Sequence, residues 1–265
     1  MPTPKTNQVT IRVHAVAINP VDMASQVIGL PHVKYPCILG CDCAGIVTAI
    51  GSAITEFAVG DRVCGCIDVD DQAEGQGTFQ KYVNLTETLV GKISDGTTFA
   101  EAAVLPLGMC AAAVGLFEKD NLKLGLPSAV SKAVSGKAVL VWGGSSSVGS
   151  CAIQAAKSAG YVVAATAGQH NLEYCKSLGA DFVFDHRSGS VVEDVVAALK
   201  SKEFCGVFAA VMGEDVYVKS AEICVQLGGV QMVSTVLPPF MPYEKPLPGD
   251  VKLVYSKSFS SGICS

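Results

Sequence analysis

The sequence predicts an α/β protein in two parts, a compact N-terminal β-barrel followed by a doubly wound parallel sheet. Three observations carry that prediction. Up to about residue 118, short Val- and Ile-rich runs are punctuated by Gly and Asp, the pattern of short strands closed by tight turns. From about residue 137, apolar runs of strand length alternate with helix-length stretches, which implies a parallel sheet with helices on both faces. Between the first of those later runs and the helix after it stands Gly143-Gly144-Ser145-Ser146-Ser147-Val148-Gly149, a small-residue turn of the kind that cradles phosphate.

In the first part, strands are expected at Val9 to Ala17, Gly45 to Ile50, Asp61 to Cys66 and Thr78 to Val83. The chain then changes character, because Ala100, Ala102, Ala103, Ala111, Ala112 and Ala113 around Leu105 and Leu116 have helical composition. Pro106 has no N–H to give, so it splits Phe99 to Phe117 into two helices. After a loop at Leu122 to Gly136, strands are expected at Ala138 to Trp142, Tyr161 to Thr166, Phe182 to Phe184, Val207 to Val211, Val230 to Val236 and Val251 to Tyr255. Leu178-Gly179-Ala180-Asp181 reads as a helix C-cap running into the third of these, and Gly228-Gly229 as a turn into the fifth. The expected domains are residues 1–118 and 119–265.

The turn follows Ala138-Val139-Leu140-Val141-Trp142 and opens a helix at Cys151-Ala152-Ile153, so backbone N–H groups and the positive helix end converge on one anion. Counted back from Gly149, the spacing is that of the dinucleotide fingerprint G-x-G-x-x-G, with Gly144 first and Ser146 in the middle place. Gly160 to Thr166 supplies a second strand about 20 residues further on, as in a Rossmann βαβ unit. At the end of that strand an NAD enzyme places Asp or Glu on the ribose 2′-hydroxyl, whereas this chain has Thr166-Ala167-Gly168-Gln169-His170. No carboxylate there would repel a 2′-phosphate, so the expected cofactor is NADPH. Candidate cofactor-binding residues are Gly144, Ser145, Ser146, Ser147, Val148, Gly149, Gly168, Lys176 and His186. Lys176 and His186 also read as a solvated helix residue and a loop residue.

Bulk composition narrows the partners. A net charge of −5 without a basic cluster argues against nucleic acid. The apolar runs are broken by Gly, Pro or charge, so no membrane span is expected. The N-terminus is polar, without the apolar core of a secretory signal, which makes the cytoplasm the expected location. The 11 cysteines are odd in number and lie in apolar contexts, so they read as free thiols packed like small hydrophobes. Cys41, Cys43, Cys64 and Cys66 are read in that way.

Six segments stand in a telling order: Asn19-Pro20-Val21-Asp22; Pro36 to Val47 around Ile38-Leu39-Gly40-Cys41-Asp42-Cys43-Ala44-Gly45; Gly60-Asp61-Arg62-Val63; Gly77 to Val83; Leu105-Pro106-Leu107; and the cofactor turn. With these the chain resembles the medium-chain dehydrogenase/reductase superfamily. Lys119-Asp120-Asn121-Leu122, Leu126-Pro127-Ser128 and Trp142 to Ser150 are similar to its zinc-independent fungal branch of quinone-oxidoreductase-like, trans-enoyl-reductase-like and concanamycin-induced protein B-like proteins. The resemblance implies a GroES-like barrel ahead of the Rossmann sheet. It also implies hydride transfer from NADPH to an electron-poor double bond, quinone or carbonyl of a small-molecule substrate.

Zinc-bearing relatives carry Cys where this chain has Asn19 and Gly-His-Glu where it has Gly40-Cys41-Asp42, which leaves Cys41 and Asp42 as conceivable ligands. A catalytic zinc takes three protein groups, and Cys64-Gly65-Cys66 before the acidic loop Asp68 to Glu74 lacks a second Cys pair, so no metal is expected. In the resembling family, the positions bordering the nicotinamide correspond to Asn19, Asp22, Ser25 and Gln26, then Cys110 and Ala111. Some relatives carry Tyr and Thr at positions held here by Met23-Ala24-Ser25 and Ala111. The catalytic candidates are therefore Asn19, as an amide donor, and Asp22. Two structural readings stand beside them: Asn19-Pro20 as a turn and Asp22 as a helix N-cap. Asp42 is read as a hydrogen-bond acceptor between the two domains. Relatives begin before the segment matched by Pro2 to Lys5 and continue past the sixth strand, so both domains are expected to be incomplete, with self-association as a homodimer one consequence. A zinc-type alcohol dehydrogenase and an inactive NADPH-binding or partner-binding protein are the alternatives.

Overall fold

Residues 2–29, 34–68, 76–127, 136–236, 243 and 246–255 are described by the computed structural model, and their contacts separate between Leu107 and Gly108 into two units. The acidic stretch beyond Asp68, Ser128 and the tail Ser256 to Ser265 lie outside the described residues.

In the first unit, five strands form an antiparallel sheet: β1 (Gln8–Ala17), β2 (Asp42–Ile50), β3 (Arg62–Cys66), β4 (Tyr82–Thr86) and β5 (Val90–Lys92), in the order β4-β1-β2-β3-β5. Val9, Ile11, Cys43, Val47, Val63, Val83 and Leu85 point from these strands into one apolar core. Two register shifts against β2, between Thr10 and Ile11 and between Val13 and Ala15, mark irregularities along β1. Bulges of this kind let a sheet curve toward a barrel. The expected strand at Thr78 to Val83 is corrected to Tyr82–Thr86. The reason is that Thr78 and Phe79 give their N–H groups to the Gly40 and Leu39 carbonyls, holding that stretch in a bend against the loop before β2.

Helix α1 (Pro20–Val27) lies between β1 and β2, and α2 (Phe99–Ala103) and α3 (Pro106–Phe117) follow β5. The break at Pro106 falls where the sequence puts it, with the proline as the first residue of α3. Thr98 and Glu101 form a reciprocal capping box on α2, with Glu101 N–H to Thr98 Oγ1 at 3.2 Å and Thr98 N–H to Glu101 Oε2 at 2.8 Å. Phe99–Phe117 is long and apolar enough by composition to cross a membrane, with half of it buried inside the fold. Ala112 and Leu116 join the core of the second unit, so this apolarity has a packing role.

The second unit strings β6 (Lys137–Trp142), α4 (Ser147–Ser158), β7 (Val162–Ala167), α5 (Leu172–Ser177), β8 (Phe182–Asp185), α6 (Val191–Leu199), β9 (Glu203–Ala209), α7 (Glu214–Leu227), β10 (Met232–Thr235) and β11 (Lys252–Tyr255) along the chain. All six strands run parallel in the order β11-β10-β9-β6-β7-β8. Side chains alternate between the faces: Val139, Val141, Val163 and Ala165 pack on one side, Leu140, Trp142, Val162 and Ala164 on the other. Both faces are covered, as the run of apolar strands requires. The chain winds outward from β6 through β7 to β8, then restarts at β9 on the other flank. The switch point of the sheet is therefore at the end of β6, where ligands of such sheets bind.

The expected strand at Val207 to Val211 is corrected to Glu203–Ala209. Ala138 pairs with Phe204 but Leu140 pairs with Val207, so β9 carries an extra residue there, and Gly206 takes it up with φ of 104°. In the sequence that glycine looks like a strand boundary. Gly179 and Gly228 end α5 and α7 as expected.

A test of the α3 packing follows from Gly115, where an added Cβ would run into the ring of the fully buried Phe208. Gly115→Ala is expected to destabilise the protein by about 1–3 kcal/mol by overpacking, read by urea unfolding. Unchanged stability would mean that α3 is free to move away from β9.

Candidate functional site

At the switch point, Gly144 N–H bonds the Thr166 carbonyl at 2.8 Å and Gly143 N–H bonds Thr166 Oγ1 at 3.1 Å, which lashes the turn to the end of β7. Ser146 is the N-cap of α4. Its Oγ accepts from Gly149 N–H at 3.0 Å and donates to the Gly143 carbonyl at 2.9 Å. The residue standing in for the middle glycine thus closes the turn on itself. A Cβ on Gly149 would collide with the Gly143 carbonyl, and one on Gly144 would press on Ile153 and Ala165 at 2.9 and 3.0 Å. Ser147 and Val148 occupy the first two helical positions, whose N–H groups have no acceptor within a helix, and both side chains reach the surface with Ser145. Ser150 Oγ lies 3.3 Å from both the Gly144 carbonyl and the Tyr174 hydroxyl. Bare backbone donors, the positive end of α4 and the absence of side-chain bulk fit a dinucleotide pyrophosphate.

Gly168 follows β7 directly. His170 Cε1 and His186 Cε1 lie 3.3 and 3.8 Å from the point a Cβ there would occupy. His186 N–H bonds the Ala167 carbonyl at 3.1 Å, as the parallel register of β7 and β8 requires. Asp185 Oδ1 accepts from Arg187 N–H at 3.0 Å and lies 4.0 Å from His186 Nδ1. Lys176 stands on α5 with its ammonium on Glu173 at 2.7 Å, both exposed. Cys110 and Ala111 sit on α3, half-buried and buried respectively. Sequence reasoning passed over His170 and Thr166; the signal for His170 was its place two residues after Gly168.

In the first unit, two carboxylic acids are buried around Asn19. Asp22 is 3 % exposed and Asp42 1 %. Asn19 N–H donates to Asp22 Oδ2 at 2.8 Å, and Asn19 Nδ2 donates to Asp42 Oδ2 at 2.9 Å. Cys41 Sγ donates to Asp22 Oδ1 at 3.6 Å, and Leu107 N–H, in the first turn of α3, donates to Asp42 Oδ1 at 2.8 Å. Burial pushes Asp42 from the ordinary 3.8 up to about 6 against the Asn19 and Leu107 hydrogen bonds, with the neighbouring Asp22 charge adding to the rise. Burial also raises Asp22, opposed by Asn19, Cys41 and Gly40. The N-cap reading of Asp22 is corrected: Asn19 is the N-cap of α1 and Asp22 stands at its third position, because Pro20 opens the helix. Asp42 is an acceptor, and both of its donors lie in the first unit. Ser25 Oγ turns back onto the Val21 carbonyl at 2.8 Å, while Gln26 is exposed.

Elsewhere the thiols are quiet. Burial raises Cys43, Cys64, Cys175 and Cys205, and pushes Cys224 up to about 12, which keeps them protonated.

A doubly wound sheet with an anion cradle at its switch point defines an oxidoreductase-type dinucleotide-binding fold. Comparison with known proteins places it further. Residues 5–115 match the alcohol dehydrogenase GroES-like domain and residues 147–249 the zinc-binding dehydrogenase family. The chain is 42% identical over 232 residues to dehydrogenase pigH of Monascus ruber, covering 85% of this chain and 61% of that protein. It is 37% identical over 257 residues to the trans-enoyl reductase himH of Aspergillus japonicus, covering 97% of this chain and 72% of that one. Among solved structures, an alcohol dehydrogenase superfamily protein from Novosphingobium aromaticivorans superposes with a TM-score of 0.75 at 29% identity, over 97% of this chain and 73% of that one. The chain belongs to the medium-chain dehydrogenase/reductase superfamily, and it spans 61% of the length of the Monascus relative.

Some members of this superfamily carry zinc, and the donor set here does not fit it. Both Asp42 oxygens accept hydrogen bonds, the Cys41 thiol is turned to Asp22, and among the described residues no three His, Cys, Asp or Glu side chains converge.

Two outcomes test these geometries. Ser146→Ala is expected to lose about 1 kcal/mol through the missing cap, read by thermal unfolding. For Asp42, the folded protein retains a proton that the unfolded chain releases, so its contribution to stability falls as pH rises from about 4 to about 6 and is level above. Asp42→Asn removes that loss. Relative to the parent, it should gain on the order of 2–3 kcal/mol between pH 4 and pH 7 in urea unfolding; a difference that does not change with pH would show that ionising Asp42 carries no burial penalty.

Proposed function

We propose that this chain forms the cofactor- and substrate-binding part of an NADPH-dependent, zinc-independent reductase. The acceptor is an electron-poor carbon–carbon double bond, an enone or enoyl thioester first, with quinones and activated carbonyls as the wider class. The observation that carries the cofactor choice is the end of β7: Gly168 to Asn171 offers no carboxylate to a ribose 2′-hydroxyl, and two imidazoles stand over Gly168. The similarity to fungal trans-enoyl reductases supports the acceptor class.

Bound nicotinamide supplies a hydride. The chain's own part is binding and orientation. The N–H groups of Ser145, Ser147 and Val148 hold the pyrophosphate, while those of Ser146 and Gly149 close the turn, and Gly168 with His186 borders the adenosine ribose. Cys110 and Ala111 border the nicotinamide in this reading. Asn19 gives Nδ2 to Asp42, and the second hydrogen of that amide is the proposed donor to the substrate oxygen that gains negative charge. Asp22 fixes the Asn19 backbone from its place in α1. Lys176, paired with Glu173, serves the phosphate edge only if that exposed pair opens. The same reading includes a small-molecule substrate, a cytoplasmic location, no nucleic-acid or membrane partner, and a homodimer.

The test is thermal melting of the purified chain with NADPH, NADH and no ligand, followed by NADPH oxidation with enones, enoyl thioesters and quinones. An NADPH-selective rise in Tm is expected, growing with ligand concentration. Gly149→Ala should abolish it by closing the cradle, and a chelator should leave turnover unchanged. Melting indifferent to both cofactors would overturn the reading.

A further inference from the structure

We propose that Asp42 is a positioning residue for the reduction: by offering only acceptors, it fixes the orientation of the Asn19 amide, so that an N–H rather than an oxygen lone pair is aimed at the substrate oxygen. The inference rests on the reading above, in which Asn19 is the donor, and names the residue that makes it one.

A side-chain amide has two edges of similar shape and opposite polarity. Only one orientation of Asn19 leaves a donor for a developing negative charge. Asp42 removes the choice. Its Oδ1 is occupied by Leu107 N–H at 2.8 Å, and its Oδ2 takes Asn19 Nδ2 at 2.9 Å. An ionised carboxylate accepts and never donates, so it holds the nitrogen edge. The carboxyl is itself held in place. Asp42 pairs with Ala17 on β1 and Cys66 on β3, and its carbonyl accepts from Thr78 Oγ1 at 3.0 Å. Asn19 is fixed from the other side, with extended backbone ahead of Pro20 and its N–H on Asp22 Oδ2 at 2.8 Å. Asn19 keeps accessible surface whereas Asp42 is buried, so Asp42 acts through Asn19.

Leu107 explains why an amide at position 42 cannot do the same work. In Asp42→Asn, the Leu107 N–H retains the oxygen of the new amide, which leaves the new NH2 group facing Asn19. Two NH2 groups cannot pair, so Asn19 turns over and gives its oxygen. An oxygen lone pair then stands where the second N–H pointed, and it repels the charge that the N–H would hold. For the fold this exchange is mild, because each hydrogen bond is re-formed and no charge is buried.

NADPH oxidation by the full chain with an enone, at a pH above the Asp42 value of about 6, tests this in the parent, Asn19→Ala, Asp42→Asn, the double variant Asn19→Ala/Asp42→Asn and the exchange Asn19→Asp/Asp42→Asn. Thermal melting and NADPH titration accompany each. Asn19→Ala is expected to lower kcat roughly a hundredfold, and Asp42→Asn by a similar factor while melting no lower than the parent and binding NADPH as well. The double variant should lose no more than either single change, because without the donor nothing remains to be positioned. The exchange again sets an acceptor opposite a donor, yet it offers the substrate no N–H and should stay as slow as Asn19→Ala; a merely structural pair would recover. If Asp42→Asn keeps the parent's kcat, or the exchange restores it, the positioning role is overturned while the NADPH reading stands. If Asn19→Ala keeps the parent's kcat, Asn19 is not the donor and the role falls with it. A parent that oxidises no NADPH with enones, enoyl thioesters or quinones overturns this inference and the reductase reading together.

Discussion

The second unit depends on how closely the first residue pair after β6 approaches the first turn of α4. Gly149 sits so near the Gly143 carbonyl that no side chain fits between them, and Gly144 lies in contact with Ile153 and Ala165. That approach draws α4 down onto the sheet, where the small residues Cys151, Ala152, Ala155 and Ala156 allow it to rest close to β6 and β7. The same economy extends to α3, because a Cβ at Gly108 would stand 3.0 Å from Ser147 Oγ and 3.4 Å from Cys151 Sγ. A polar turn in the middle of an apolar sheet would be unstable if its backbone groups were orphaned. Here Thr166 and Ser146 satisfy the groups that face inward, and the first helical N–H groups face out.

The first unit solves a different problem at the Asn19 corner. Burying two carboxyl groups is unfavourable unless each oxygen finds a donor. Asn19 serves both through two different N–H groups, Leu107 serves Asp42 from the positive end of α3, and Cys41 serves Asp22. Hydrogen bonds thus join α1, β2 and the start of α3 at the place where zinc-bearing relatives gather ligands. An apolar side chain at Asp42 would leave both the Asn19 amide and the Leu107 N–H without a partner, so the acid is held there even at the expense of its ionisation.

What was legible in the sequence is what depends on local period. The parallel strands announce themselves by apolar runs of the right length, Pro106 by its missing N–H, and the turn by residues too small to be anything else. What was hidden depends on partners distant in the chain. The start of β9 was masked because Gly206 resembles a boundary when its bulge against Val139 cannot be seen. Thr78 to Gln80 alternates like a strand, but the Thr78 and Phe79 donors are spent on Gly40 and Leu39 and that of Gln80 turns back to the Thr78 carbonyl. That His170 and His186 both lie near Gly168 follows from the pairing of Ala167 with Asp185, which no spacing rule supplies. Asn19 and Asp22 were found as residues and misplaced by three positions as a cap, since both types are good caps and only the position of Pro20 on the helix decides between them.

The two halves of the dinucleotide site divide the work by element. The Gly143 to Gly149 turn offers backbone donors and a helix end, which recognise a pyrophosphate and are blind to whether the adenosine ribose carries a phosphate. Thr166 near the end of β7 holds two backbone donors of the turn, whereas Gly168 just beyond β7 makes none of the turn's hydrogen bonds and can be altered without breaking one. Affinity for dinucleotides as a class and preference for one of them are therefore separable in this fold. Ser146 makes the separation sharper: by capping α4 with its own hydroxyl, it keeps the turn closed whether or not an anion is present. A cradle already closed does not have to reorganise to fit its ligand.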